Sequence, residues 1–416
     1  MTIEPLTHQL VRVLDRSEKM FAADGHCVGY SVRLRGRVDL ESLRRAFSAL
    51  AITHPLLSCR MVDTSDGHTA FAHVDEPPLV LVTHGTAGNE PLPDIENRTA
   101  AIHVQLENAD IAWVTFLVHH SIADGTHAMR LLADLWTYYT DAVRGHVLRP
   151  HPQPHPRSLE QLLAERHITA GPEPALPVAP ASHLAALDPV PVTAAQPRVE
   201  LTAAKTKALA VLGHKVGATI NSLVSAVLLR AVADTNGVEI TDLRYAYPVN
   251  IRPRLAPAVS AAEGTNVIGT AFFTPLARMS TVALARAISD KLAIDLAAGH
   301  VQRHYLNTPE FLDAVDNAFS HRPGTVLATN WGVIPELSAP AGVVFDDFRS
   351  VWHATQPVGG AEIRSLTPEH MGVILTFSGR LIVEIAHFDP YPDALTTHLR
   401  RHFDALLTHP VAPEAT

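Results

Sequence analysis

The sequence predicts a mixed α/β protein made of two halves, and three observations carry that prediction. The chain has 416 residues, more than one ordinary core accommodates and enough for two domains of about 200 residues each. Strand-type and helix-type apolar periods alternate along it. Between the alternating regions, residues 150–197 hold 11 of the chain's 31 prolines. Proline removes backbone donors and fixes φ, so this stretch supplies neither core strands nor long helices. The expected division is residues 1–149, a crossover linker at 150–198, and residues 199–416.

In the first half, Val28, Tyr30, Val32 and Leu34 alternate with small or polar residues, the period of a half-buried strand. After Gly36, Asp39 caps a helix in which Leu40, Leu43, Phe47 and Leu50 share a face, and Pro55 ends that segment. Ile111–Val118 is continuously apolar with β-branched and aromatic residues, the pattern of a buried strand. It runs into His119–Gly125, after which Met129, Leu132, Trp136 and Tyr139 recur at helical spacing. One short helix around Leu159–Arg166 interrupts the linker. In the second half, Thr219 caps an apolar helix through Ala231, Leu243–Val249 is a strand and Ala283–Ala298 a helix. Val373–Phe377 and Leu381–Ile385 form a hairpin about Ser378-Gly379-Arg380, and Asp393–Leu407 closes the chain as a helix.

The composition is 47% hydrophobic and 18% charged, that of a packed globular chain. With 33 basic against 42 acidic residues the formal net charge is -9. Nucleic-acid binding, which needs a clustered basic face, is not expected. The two cysteines, Cys27 and Cys59, are too few for a disulfide framework or a cysteine-rich zinc site and suit a reducing compartment. They read as small buried hydrophobes. The longest apolar stretches, such as Leu223–Leu229, are far shorter than the roughly 20 residues that span a bilayer. Met1–Arg16 lacks a signal-peptide core. A cytoplasmic monomer without cofactor is expected.

The chemistry concentrates at His119-His120-Ser121-Ile122-Ala123-Asp124-Gly125. A strand ending in two histidines, then a tight Asp-Gly turn and a helix, places polar side chains at a strand's carboxyl end, where α/β proteins often form sites. Successive strand residues point to opposite faces, so only one of His119 and His120 faces a given cavity. Histidine suits general-base work because its ordinary pKa lies near neutrality. Asp124 can hold the loop, and Gly125 supplies either a positive φ or close backbone approach. A packed core histidine is the competing reading, and the residues alone leave both open. A metal reading, using His119 or His120 with Asp124 and His127, matches no familiar zinc spacing. No Gly-x-Ser-x-Gly elbow and no phosphate-cradling glycine loop is present.

His119–Gly125 matches His-His-x-x-x-Asp-Gly. The sequence thereby resembles the superfamily of chloramphenicol acetyltransferase, nonribosomal-peptide condensation domains and polyketide-associated acyltransferases. Leu14–Ala22, His54–Leu57, Tyr138–Val143, Tyr247–Arg252 and Thr265–Gly269 extend the likeness across most of the chain. Together they most resemble the phthiocerol/phthiodiolone dimycocerosyl transferases. The resemblance implies two chloramphenicol-acetyltransferase-like halves, each a mixed sheet with helices, facing across a central tunnel that donor and acceptor enter from different sides. It implies His120 as catalytic base, Asp124 orienting the motif loop, Gly125 letting it turn, and His119 in support. It further implies an acyl donor on coenzyme A, an acyl carrier protein or a polyketide synthase, an alcohol acceptor, and ester formation in lipid or polyketide biosynthesis without an acyl-enzyme. The rivals are an amide-forming condensation enzyme, an acetyl-transferring enzyme with a small donor, and a catalytically silent docking module.

One departure stands out. Condensation domains carry Asp-Phe-Gly-Trp-Gly in the second half, whereas this chain has Thr329-Asn330-Trp331-Gly332 in a comparable place. Asn330 and Trp331 therefore read as packing residues ahead of substrate contacts. Arg252 and Arg254 suit either a structural ion pair or a carboxylate or phosphate of a substrate. The His151-Pro-Gln-Pro-His155 tract is given no chemistry.

Overall fold

The run expected as a buried strand forms one, and it is the centre of a mixed sheet that carries the motif. The computed structural model describes residues 9–23, 25–85, 92, 95, 97–171, 196–307, 324–354, 370–386, 389 and 391–408. Much of the proline-rich stretch, residues 172–195, lies outside them. The described chain divides into two compact units. The first holds Met1–His167, Ala256–Val267 and Pro335–Ser365, the second Ile168–Leu255, Ile268–Ile334 and Leu366–Thr416. The boundaries thus differ from a single cut at the proline-rich stretch, because two segments from the second half of the sequence pack with the first unit.

In the first unit the elements run β1 (Gln9–Val13), α1 (Arg16–Ala23), β2 (His26–Arg35), α2 (Leu40–Thr53), β3 (Cys59–Asp63), β4 (Thr69–His73), β5 (Val80–His84), β6 (Ala100–Asn108), β7 (Ile111–His119), α3 (Gly125–Val143) and α4 (Leu159–Ala164). One further strand, β12 (Val344–Ala354), comes from far down the chain. The five-stranded sheet has the order β12-β2-β7-β6-β5, antiparallel except for the β5–β6 pair. A small antiparallel sheet, β1-β4-β3, accompanies it. Asp39 accepts from the Glu41 and Ser42 N–H groups to start α2, whose Leu43, Phe47 and Leu50 are fully buried. Phe47 meets Phe116 of β7 edge-on at 6.0 Å. Tyr139 of α3 accepts a hydrogen bond from the Asp39 N–H, so the two helices brace each other over the sheet. At the end of β2, Gly36 has φ +117, and a Cβ there would lie 2.2 Å from the Gly342 carbonyl oxygen, so the approach to β12 requires glycine.

The second unit contains β8 (Arg198–Glu200), α5 (Ala203–Val216), α6 (Ile220–Asn236), β9 (Arg244–Asn250), β10 (Ile268–Phe273), α7 (Thr281–Ala297), α8 (His300–Arg303), β11 (Thr325–Val333), β13 (His370–Phe377), β14 (Arg380–Ile385) and α9 (Pro392–Thr408). Its sheet order is β10-β9-β11-β13-β14-β8, with β9, β11 and β13 parallel and the outer pairs antiparallel. Thr219 caps α6, which is almost wholly buried from Ser222 to Ala233 and packs against α7 and α9. Ser378 and Gly379 both have positive φ, the requirement of a two-residue hairpin turn. Among the described residues no single helix is long and apolar enough to cross a membrane.

Candidate active site

The motif begins where β7 ends. The His119 N–H donates to the Thr99 carbonyl at 2.8 Å and the His120 N–H to the His26 carbonyl at 2.7 Å, so both neighbouring strands hold the backbone. The Ile122 N–H then donates back to the His119 carbonyl at 3.1 Å, making the turn. β7 ends at His119 and His120 opens the turn, and the two rings differ in surroundings. His119 is completely buried and its Nδ1 accepts from the Ser121 N–H at 3.2 Å. Burial, then the neighbouring His26 and His120, lowers its pKa to about 3.

His120 is half-buried. Its ring lies flat on that of Phe21, with centroids 3.8 Å apart and planes 11° from parallel. Its Nδ1 stands 3.1 Å from Oδ1 of Asn266. Its Nε2 has no hydrogen-bond partner among the described residues. Burial pulls its pKa below the ordinary histidine value, opposed by its own carbonyl, Asp124 and Asn266. Near neutral pH it is therefore an uncharged imidazole, the form able to accept a proton. His26, at the start of β2, is held to about 4 by burial and then by His120.

Asp124 is buried and works as a clamp. Its side chain accepts from the N–H groups of Thr126 at 3.0 Å and His127 at 3.1 Å, capping α3. The other carboxylate oxygen accepts from the Val267 N–H at 2.7 Å, and its own N–H donates to the Thr265 carbonyl at 2.9 Å. Gly125 opens α3 and is not among the described residues with positive φ, so of its two expected uses the left-handed turn drops out.

The segment 265–267 and α1 complete the surroundings. Asn266 is buried, and its Nδ2 donates to the His120 carbonyl at 2.7 Å and the Ser121 carbonyl at 3.3 Å. Thr265 Oγ1 donates to Glu18 at 2.8 Å, and Arg12 grips the same buried carboxylate with two 2.6 Å bonds. This network ties α1, and with it Phe21, to the segment that holds Asn266. Sequence reasoning placed Asn266 and Phe21 inside matched blocks but gave neither a task. Nothing in a linear pattern shows that positions so distant meet one imidazole.

Arg252, Asn330 and Trp331 belong to the other unit. Arg252 is buried and its N–H donates to the Asn250 side chain at 3.0 Å, while Arg254 is exposed. Asn330 sits at an irregularity of β11, donating to Asn221 of α6 at 2.9 Å and accepting from the Gly332 N–H at 2.7 Å. Trp331 is half-buried beside it. Cys27 and Cys59 are both buried, and neither is in a disulfide. Cys27 packs with Ile95, Ala101 and Leu117, and burial pushes the Cys59 thiol up to about 12, far from a reactive thiolate. Among the described residues no group of histidine, cysteine, aspartate and glutamate is arranged to hold a metal ion.

This architecture is that of the condensation-domain class. The first condensation domain of the calcium-dependent antibiotic synthetase superposes on 97% of this chain and 98% of its own, with TM-score 0.64 at 16% identity. Polyketide synthase associated protein 5 from Mycobacterium tuberculosis is nearer, with TM-score 0.78 at 26% identity over 96% of this chain and 99% of that one. Residues 190–386 match the family model of the phthiocerol/phthiodiolone dimycocerosyl transferase C-terminus. A phthiocerol/phthiodiolone dimycocerosyl transferase of Mycobacterium sp. (strain JLS) is 32% identical over 353 residues, 80% of this chain and 84% of the relative. One from Mycobacterium tuberculosis is 28% identical over 402 residues, 90% and 92% of the two chains. The chain belongs to the phthiocerol/phthiodiolone dimycocerosyl transferase family, and it is an acyltransferase.

Proposed function

We propose that the protein forms esters by moving a long acyl chain from a thioester donor to an alcohol, with His120 as general base. The observation that carries this reading is the uncharged, restrained imidazole of His120, stacked on Phe21 and held at Nδ1, at the end of β7. His120 takes the proton of the acceptor hydroxyl, and the alcohol oxygen attacks the thioester carbonyl. The tetrahedral intermediate collapses, the carbon–sulfur bond breaks, and the departing thiolate recovers the proton from His120. Holding donor and acceptor together raises their effective concentration without a covalent intermediate. The burial of Cys27 and Cys59 supports the absence of an acyl-enzyme. The names of the relatives suggest a lipid alcohol as acceptor and a branched fatty acyl group as cargo. A coenzyme A thioester or an acyl carrier protein is the donor, and the cytoplasm is the place of reaction.

The test is a panel of acyl-coenzyme A and acyl-carrier donors of graded chain length, offered with long-chain alcohols and amines, and scored by thiol release and product mass. Ester formation that depends on His120 supports the reading. Amide as the sole product, or full activity in His120→Ala, overturns it.

A further inference from the structure

We infer that Asn266 is a positioning residue that fixes the tautomer of His120, and that Asp124 acts on the base through it. This rests on the proposed base role of His120. The orientation of the Asn266 carboxamide is decided by its surroundings. Its nitrogen faces two carbonyl oxygens, of His120 at 2.7 Å and Ser121 at 3.3 Å. With the group reversed, an oxygen would face both carbonyls in a buried place, with two acceptors opposed and no proton between them. Oδ1 is therefore the atom 3.1 Å from His120 Nδ1. An amide oxygen only accepts, so the proton of the neutral ring sits on Nδ1 and the lone pair is left on Nε2.

Asn266 is in turn placed by the motif aspartate. Thr265 and Val267, its two chain neighbours, are both bonded to Asp124, one through the Asp124 N–H and the other through its carboxylate. A buried aspartate thus sets an asparagine, and the asparagine sets the base. The choice of an amide has a consequence. Its dipole stabilises the imidazolium formed when Nε2 takes the proton, yet it adds no full negative charge to hold the ring protonated beforehand. A carboxylate at the same place would still orient the ring but would raise its pKa.

The experiment uses full-length protein labelled with ¹⁵N-histidine, in which His120 is assigned by its disappearance from His120→Gln. Long-range ¹H–¹⁵N spectra distinguish a protonated from an unprotonated ring nitrogen. In the unsubstituted protein His120 is expected as the Nδ1–H tautomer, and an Nε2–H tautomer overturns the inference without any variant. In Asn266→Ala the Nε2–H form gains population, and kcat falls roughly 10- to 100-fold with KM little changed. In Asn266→Asp the acidic limb of kcat/KM moves to higher pH, because a base with a raised pKa needs less acid to be protonated. A residue that only packs would move neither the tautomer nor the limb. An unchanged tautomer in Asn266→Ala, or an unmoved limb in Asn266→Asp, overturns the positioning role, with thermal melts confirming the fold. Activity retained by His120→Ala would instead overturn the base reading and leave the tautomer result standing.

Discussion

Replacing Asp124 by alanine removes interactions that can be counted. Two N–H groups in the first turn of α3 lose their cap, a change that costs about 0.5–2 kcal/mol. The Val267 N–H, bonded at 2.7 Å to the second carboxylate oxygen, is left buried without its acceptor, which costs roughly a further 1–3 kcal/mol. The sum is about 1.5–5 kcal/mol. In a unit of this size each kcal/mol moves the midpoint by about 2–4 °C, so Asp124→Ala should melt on the order of 3–20 °C below the parent protein. Circular dichroism and urea titration measure the shift, and transfer activity is assayed well below the lowered midpoint. Activity should remain poor there, because the 265–267 segment that carries Asn266 has lost its anchor. Asp124→Asn gives a graded control. Asparagine caps helices well, but its amide nitrogen would meet the Val267 N–H donor to donor, so part of the loss should persist. A dead enzyme whose midpoint does not move would refute the clamp and point to direct participation of the carboxylate in chemistry.

Four further outcomes follow from the same geometry. His120→Ala should fold and lose transfer by about 10²–10⁴-fold, whereas His119→Ala keeps a measurable rate, with steady-state assays beside melting curves separating the two. The acidic limb of kcat/KM should lie below pH 6.5, because burial lowers the His120 pKa and the base works only when neutral, so activity is lost as pH falls through that value; a limb above 6.5 would contradict the neutral imidazole. His119 and His26, held to about 3 and 4, must stay neutral in the fold while an unfolded histidine protonates near 6.5. Stability is therefore full above that value and falls as pH drops from about 6.5 toward 3, by up to about 1.4 kcal/mol per pH unit for each ring; His119→Gln should flatten this slope in urea midpoints measured across the range. The double variant Cys27→Ala, Cys59→Ala should retain most of its transferase rate, and protein quenched with donor alone should show no added acyl mass.

The elements that were legible in the sequence are those whose signal is local. The apolar run before the motif, the Asp39 and Thr219 caps and the Ser378-Gly379 turn each declare themselves within a few residues. β12 did not, although Val344–Ala354 is long, because its partner β2 lies hundreds of residues earlier and alternation alone does not say which sheet a strand joins. The same limit explains the unit boundaries. A proline-rich stretch marks where the chain stops building core strands, but not that 256–267 and 335–365 return to the first unit. At the site, strand alternation said only that one of His119 and His120 faces a given cavity, and it was the resemblance that singled out His120. Gly125 allowed either a positive φ or close backbone approach, and its place directly behind the Asp124 cap at the start of α3 removes the first.

The restraints on His120 explain why the seven-residue motif is an incomplete description of its own chemistry. The motif supplies the ring and, through Asp124, a helix cap, both formed by neighbours in sequence. What keeps the ring in one orientation comes from elsewhere: the His26 carbonyl of β2, the face of Phe21 on α1, and the Asn266 side chain. Each contact is individually worth little, of the order of 1 kcal/mol. Together they act on different degrees of freedom, the backbone, the ring plane and the rotation about it, so none can substitute for another. They are also linked, because Glu18 receives both Arg12 and Thr265 and so joins the helix bearing Phe21 to the segment bearing Asn266. A base that must meet a hydroxyl within a hydrogen bond's length depends on such orientation as much as on its pKa. In this unit the orientation is assembled from chain segments that no local pattern connects.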